Sequence, residues 1–266
     1  MITSPSGAAS GTLPPFQFLA APAEWDRIDF ISDLHLDSTR PRTFQVWADF
    51  VRQTPAQALF ILGDLFEAWI GDDVAAQPGF AADALSILRE AAQTRWLGFM
   101  AGNRDFLFGS NQSDFCGIHF LNDPTVISAF GQRIMLSHGD LLCLGDVEYL
   151  RFRSLVRNPE WQSDFLAKPL QQRCAIAAAM RDASRKHQRM PESWVDVDTQ
   201  TALEWLTHVQ CSALVHGHTH RPGSEEMAPG IWRYVLTDWE LDGLGPLRAQ
   251  VLSLQREGFV RLDLPA

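Results

Sequence analysis

The sequence predicts an α/β fold with a largely parallel inner sheet, onto which further antiparallel strands pack. Three observations predict it. Short apolar runs end abruptly at Gly, Asp, Asn or His, most clearly Leu59-Phe60-Ile61-Leu62 before Gly63-Asp64. A run of that length, so bounded, suits a strand buried on both faces. Segments with helical spacing of apolar residues lie between the runs, as the connections of a parallel sheet require. After residue 230 that alternation stops, and strand-like runs follow one another.

In chain order, Met1 to Glu24 is rich in Ser, Ala, Gly and Pro and lacks a basic region before an apolar core. It reads as a disordered extension covering 1–26, not a secretory signal, with the folded domain over 27–266. Arg27 to Ser32 is the first strand, ending in Asp33-Leu34-His35. Phe44, Trp47, Phe50 and Val51 give a helix over 41–53. The strand before Asp64 follows, then a helix over 78–93 carrying Phe80, Leu85, Ile87 and Leu88. Trp96 to Ala101 is a strand ending in Gly102-Asn103-Arg104-Asp105. Arg133 to Ser137 ends in His138-Gly139-Asp140, and Ala213 to Val215 ends in His216-Gly217-His218-Thr219-His220. Asp198 caps a helix through Leu206. Trp232–Leu236, Ala249–Leu254 and Phe259–Leu262 are expected to be antiparallel strands of a second sheet.

The bulk numbers exclude several classes. The chain has 266 residues, 46% hydrophobic composition, nine Trp and seventeen Phe, enough for a large core. A net charge of −10 argues against nucleic-acid partners. No apolar run reaches the ~20 residues of a membrane span. The four cysteines form no CxxC pair and read as reduced thiols of a cytosolic protein. Residues 145–197 differ from their surroundings. Between 151 and 189 they hold nine basic and three acidic side chains, mixed with Leu155, Trp161, Phe165, Leu170 and Ile176. This is a helical insertion, expected to lie over the strand ends. Basic plus apolar character suits an anionic lipid or a membrane surface.

Five strand ends supply Asp33, His35, Asp64, Asn103, His138, His216 and His218. Carboxylate, amide oxygen and imidazole without thiolate suit Mn²⁺, Fe²⁺ or Zn²⁺ in a catalytic site. Seven donors are too many for one ion with an open position. Two ions sharing a carboxylate fit better, the usual device for phosphoryl transfer. Asp140 and His220 are expected to support the ligating imidazoles.

As a set, Asp33-x-His35, Gly63-Asp64, Gly102-Asn103, His138-Gly139 and Gly217-His218 resemble the calcineurin-like metallophosphoesterases. The resemblance implies an α/β/β/α sandwich of two sheets flanked by helices, with the insertion as a cap. It implies one metal on Asp33, His35, Asp64 and His218, and another on Asp64, Asn103, His138 and His216. Many members carry His where this chain has Arg104. Arginine cannot donate a proton near neutral pH but can hold a phosphate. A pyrophosphate, whose leaving group needs little protonation, is therefore the expected substrate.

The longer words Ile61-Leu-Gly-Asp-Leu-Phe-Glu-Ala-Trp-Ile-Gly-Asp-Asp73, Gly102-Asn-Arg-Asp-Phe-Leu107 and His216-Gly-His-Thr-His-Arg-Pro222 resemble the UDP-2,3-diacylglucosamine diphosphatases of lipid A synthesis. His138-Gly-Asp-x-x-Cys143, Asp146, Tyr149 and Phe152 extend that likeness into the insertion. The resemblance implies hydrolysis of the lipid's diphosphate to UMP and 2,3-diacylglucosamine 1-phosphate, with water activated by two Mn²⁺. Asp64, Asn103, Arg104 and His138 would be catalytic. Asn103, Arg104, Asp146, Tyr149, Phe152, Arg181, Ser184 and His216 would touch substrate. The protein would work in the cytoplasm, peripherally on the inner membrane, with no nucleic acid and no obligate protein partner.

Overall fold

A computed structural model describes residues 13–188 and 195–265, with side chains in the last helical stretch described up to Asp182. In chain order its strands are β1 Gln17–Ala20, β2 Arg27–Ile31, β3 Ala58–Leu62, β4 Trp96–Met100, β5 His119–Leu121, β6 Thr125–Ala129, β7 Gln132–Ser137, β8 Ala213–His216, β9 Gly223–Ala228, β10 Ile231–Val235, β11 Gln250–Gln255 and β12 Gly258–Asp263. Its helices are α1 Pro41–Gln53, α2 Phe80–Ala92, α3 Ser110–Cys116, α4 Val147–Val156, α5 Pro159–Leu166, α6 Leu170–Gln188 and α7 Thr199–His208.

Two six-stranded sheets stack face to face. The first runs β12-β11-β2-β3-β4-β5 and the second β1-β6-β7-β8-β10-β9. In the first, β2 to β5 are parallel, as the alternation of strands and helices requires. All five residues of β3 are buried because both its faces are covered. Phe30, Phe60, Leu62 and Met100 meet Ile127, Ile134, Leu136 and Val215 between the sheets. Ile31, Ile61 and Phe99 pack outward with Trp47 and Val51 of α1 and Leu85 and Leu88 of α2. Trp205 and Leu206 of α7 cover Met135 and Leu214 on the far side. This is the expected α/β/β/α order.

Helix ends follow their side chains. Asp198 caps α7 by accepting from Thr201 N at 2.8 Å. Asn158 caps α5, with Pro159 in its first turn, where the missing N–H costs nothing. Helix α1 also starts on a proline and is capped from a distance. Asp242 accepts from Arg42 N at 2.9 Å and Thr43 N at 2.8 Å.

Two expectations need correction. The extension of residues 1–26 does not stay outside the fold. Its residues 17–20 form β1, an edge strand paired in parallel with β6. Gln17 holds it there, its side-chain carbonyl accepting from Asn122 N at 2.7 Å and Thr125 Oγ1 at 3.1 Å. Trp25 packs against Trp96. Residues 1–12 lie outside the described residues. The C-terminal strands also divide between sheets. β11 and β12 extend the first sheet antiparallel beside β2, while β10 joins the second in parallel with β8. The sequence reading does not include β5, β6 and β9; β5 is only three residues long, and β9 carries Ser224, Glu225 and Glu226. Helices α4, α5 and α6 occupy residues 147–188, where the helical insertion was expected.

Candidate metal centre

The donor residues sit where strands end: β2, β3 and β4 of the first sheet and β7 and β8 of the second. The two sheets therefore both contribute to one cluster. Asp33, His35, Asp64, His218 and His220 all have positive φ, between 50° and 65°. Only Phe130 and Gln210 share that feature among the other non-glycine described residues. Such strain gathers where a site dictates side-chain direction. The neighbouring glycines allow close approach. A Cβ on Gly102 would overlap the Asp64 carboxylate, and one on Gly217 the Asp33 carboxylate.

Donor atoms of Asp33, His35 and His220 lie within 4.8 Å of one another, and so do those of Asp33, Asp64 and His138. Asp64 stands between the two halves. Its Oδ2 is 3.9 Å from His35 Nε2 and its Oδ1 3.8 Å from His138 Nε2. Asn103 Oδ1 lies 2.9 Å from both His138 Nε2 and His218 Nδ1. His35 and His220 face each other, Nε2 to Nε2, at 3.3 Å.

Here the structure corrects the histidine assignment. His216 is the last residue of β8 and is fully buried. Arg233 of β10 donates from Nε to His216 Nε2 at 2.9 Å, and His216 Nδ1 is 2.8 Å from Gly217 O. Both ring nitrogens are thus engaged away from the carboxylates. The chain turns after the strand, which brings His218 Nδ1 to 2.9 Å from Asn103 Oδ1 and His220 Nε2 to 3.3 Å from Asp33 Oδ1. His220 is a member of the cluster, not a supporting residue. Asp140 makes no hydrogen bond to an imidazole among the described residues, though its charge acts on His138 and His218. Its Oδ2 accepts from Tyr149 Oη at 2.5 Å and Arg153 Nε at 2.7 Å, which anchors α4 rather than an imidazole.

The groups beside the other ring nitrogens are residues the sequence reading did not single out, two at ion-pair distance and one, Leu62 O, in a hydrogen bond. His35 Nδ1 is 3.3 Å from Glu67 Oε2. His220 Nδ1 is 3.7 Å from Asp238 Oδ2, and His138 Nδ1 is 2.9 Å from Leu62 O. Asp105 accepts from Gly102 N and Leu65 N, both at 2.8 Å, and so ties the Asp64 loop to the Asn103 loop. Glu67 and Asp105 lie inside the motif words, three residues after Asp64 and two after Asn103. A count of acceptors needed by the ligating rings is the signal that finds Glu67.

The charges are strongly coupled. Burial works to raise the pKa of Asp33, but the hydrogen bond and charge of His220 outweigh it and hold this carboxyl below its usual range. Burial works to lower His138, but Asp64 above all pushes it up to about 9. Asp105 is pushed up to about 6 by burial and by the Asp64 charge. Burial takes His218 down to about 4, and burial with the Arg233 charge takes His216 down to about 3. These shifts describe a compact group of charges that act on one another.

A cavity of about 720 Å³ opens on the cluster. Asn103, Arg104 and Arg181, which the sequence reading expects to touch substrate, are among its lining residues. Arg104 and Arg181 each keep a buried Nε without a hydrogen-bond partner among the described residues. Asp146, Tyr149 and Phe152 are not among the lining residues. Asp146 caps α4, and the Tyr149 ring lies 5.7 Å from that of His218. His216 does not line the cavity either. The side chain of Ser184 lies outside the described residues.

Residues 26–222 match the calcineurin-like phosphoesterase family. A UDP-2,3-diacylglucosamine hydrolase of Xanthomonas oryzae pv. oryzae strain PXO99A is 41% identical over 244 residues, covering 86% of this chain and 95% of that protein. That of Xanthomonas campestris pv. campestris strain ATCC 33913 is 43% identical over 233 residues, covering 80% and 92%. The chain belongs to the calcineurin-like phosphoesterase family and, within it, to the group of the UDP-2,3-diacylglucosamine hydrolases. The fold implies a dinuclear divalent-metal site. The oxygen and nitrogen donors gathered here, with no thiolate and a carboxylate between two halves, fit one.

Proposed function

We propose that this chain hydrolyses the diphosphate of UDP-2,3-diacylglucosamine, giving 2,3-diacylglucosamine 1-phosphate and UMP, in lipid A biosynthesis. The observation that carries the reading is one cavity joining the Asp/His cluster to the two arginines with unpartnered guanidinium nitrogens. The relatives' names support it. Asp33, His35, Asp64 and His220 would hold one ion, and Asp64, Asn103, His138 and His218 the other. Two divalent ions, Mn²⁺ in this reading, would supply positive charge at the phosphoryl oxygens and acidify a water.

The chain's own residues do the rest. Arg104 and Arg181 hold the diphosphate through charge-assisted hydrogen bonds. Neither serves as an acid at neutral pH, and the phosphate leaving group needs none. Asp105 fixes Asp64 and Asn103 through backbone N–H groups, and Glu67 fixes the His35 ring. Helices α4 to α6 form the cap over the acyl chains. They expose Phe152, Leu155, Leu166 and Leu170 among basic residues, a surface suited to the cytoplasmic face of the inner membrane. Among the described residues, no helix is long and apolar enough to cross a membrane.

The test is release of UMP by metal-stripped protein given back Mn²⁺, Mg²⁺ or Zn²⁺ in turn. UDP-2,3-diacylglucosamine should be cleaved fastest with Mn²⁺, and UDP-N-acetylglucosamine hardly at all. Equal cleavage of both would remove the lipid assignment.

A further inference from the structure

The cavity has two ends of different character. One is closed by α6 through Ala178, Arg181 and Asp182, with Arg104 nearby, and the cations there have donors to spare. The other is formed by Asp37, Thr39 and Arg40 after β2 and by Asp238, Trp239, Glu240 and Arg248 between β10 and β11. Its cations are each paired with acceptors of this chain. Arg40 donates to Leu34 O at 3.0 Å, His35 O at 3.2 Å and Trp239 O at 2.6 Å, and pairs with Glu240 at 3.2 Å. Arg248 donates from Nε to Asp238 Oδ1 at 2.9 Å and from a terminal nitrogen to Pro246 O at 3.3 Å.

What this end presents is acceptors. Asp37 Oδ1 takes both donors of Thr39, N at 2.9 Å and Oγ1 at 2.7 Å. Asp37 Oδ2 takes no hydrogen bond among the described residues. Glu240 Oε1 accepts from Gly243 N at 2.8 Å and Asp242 N at 3.2 Å while Oε2 pairs with Arg40, so a ligand donor there would share an oxygen that is already engaged. Carboxylates beside arginines already paired within the chain disfavour phosphate and favour neutral hydroxyl and N–H donors.

We propose that the end of the cavity bounded by Asp37, Thr39 and Glu240 is the nucleoside subsite, taking the ribose hydroxyls and uracil imide of the substrate. This rests on the reading that the chain cleaves a UDP-linked lipid. Such a substrate has a neutral, donor-rich arm and an anionic, acylated arm on either side of the diphosphate. The second arm belongs with Arg104, Arg181 and the apolar residues of α4 to α6. The first is left for the opposite end, where the ribose diol donates to Asp37 and the base lies toward Glu240. The substrate thus crosses the donor cluster in one direction only.

The test is calorimetric titration of the Mn²⁺-loaded protein with UMP, dUMP and, in micelles, 2,3-diacylglucosamine 1-phosphate. Asp37→Ala and Glu240→Gln should each weaken UMP about tenfold, the loss of one hydrogen bond to a charged group. Both should leave the lipid phosphate within about twofold. Arg181→Ala should do the reverse. Wild type should prefer UMP over dUMP, and Asp37→Ala should not. Circular dichroism checks that each variant folds. UMP binding lost in Arg181→Ala but intact in Asp37→Ala and Glu240→Gln would overturn the proposal. A wild type that leaves the lipid substrate uncut would instead defeat the parent reading, and the UMP titrations would still decide the subsite.

Discussion

The two walls of the cavity are built by different means. On the sheet side, donors project from strand ends, and Asp33, His138 and the Asp105 brace are fully buried. On the helical side, α4 to α6 expose Phe152, Leu155, Leu166 and Leu170 and are tied down at a few polar points. Arg157 donates to Gly102 O at 2.8 Å, Arg173 to Ile70 O at 2.6 Å and Arg153 to Asp140. The first wall spends strained backbone and buried hydrogen bonds on fixed geometry. The second keeps apolar surface available and relies on anchors. In the proposed function, reaction chemistry would belong with the rigid wall, and choice of lipid with the looser one.

That contrast can be broken most forcefully at Asp64. Asp64→Ala removes the carboxylate between the two halves and should lower UMP release by at least about a thousandfold, with the far-UV spectrum unchanged. Next comes the histidine correction. His220→Gln should cost roughly a hundredfold in kcat and lower metal retention, while His216→Gln should retain metal and lose stability. The opposite ranking would restore the sequence-based assignment.

The helical wall should respond in KM. Arg173→Met breaks the tie to Ile70 and Asp73, a loss of roughly 1–3 kcal/mol of anchoring, and should speed limited proteolysis within 147–188. Phe152→Ser should raise KM for the long-chain lipid about fivefold and leave short-chain analogues unaffected. Unchanged KM for all chain lengths would remove Phe152 from the acyl surface.

A finer comparison uses pH. The His216 pKa falls from 6.5 to about 3 in the folded state, so its contribution is fully present above about 6.5 and lost as pH drops toward 3. The Tm of wild type should therefore fall relative to that of His216→Gln over this window, and parallel curves would count against the Arg233 contact. The smallest effect concerns thiols. Cys174 is exposed, whereas burial pushes Cys116 up to about 11 and Cys143 and Cys211 up to about 12. Ellman's reagent should modify Cys174 quickly at neutral pH, and the other three only on unfolding.

Much of the rigid wall was legible in the sequence, because a strand buried on both faces must be an apolar run and its end must be marked. Asp33, His35, Asp64, Asn103 and His138 follow directly. His216, His218 and His220 did not resolve, since they repeat at intervals of two. Period two holds only while the strand lasts, and β8 stops at His216. The residue that settles the question, Arg233, lies seventeen positions away on β10. Strand β1 was hidden by the Ser, Ala, Gly and Pro around it, because an edge strand needs only alternate apolar residues and one well-placed side chain such as Gln17. The division of the tail between two sheets depends on long-range pairing, which local pattern does not carry.

The measurement that tests the account most directly is the metal content of wild type, His216→Gln and His220→Gln after loading with Mn²⁺ and exhaustive dialysis. The account predicts about two ions per chain in wild type and in His216→Gln, and about one in His220→Gln. Two ions kept by His220→Gln with a loss in His216→Gln would contradict it.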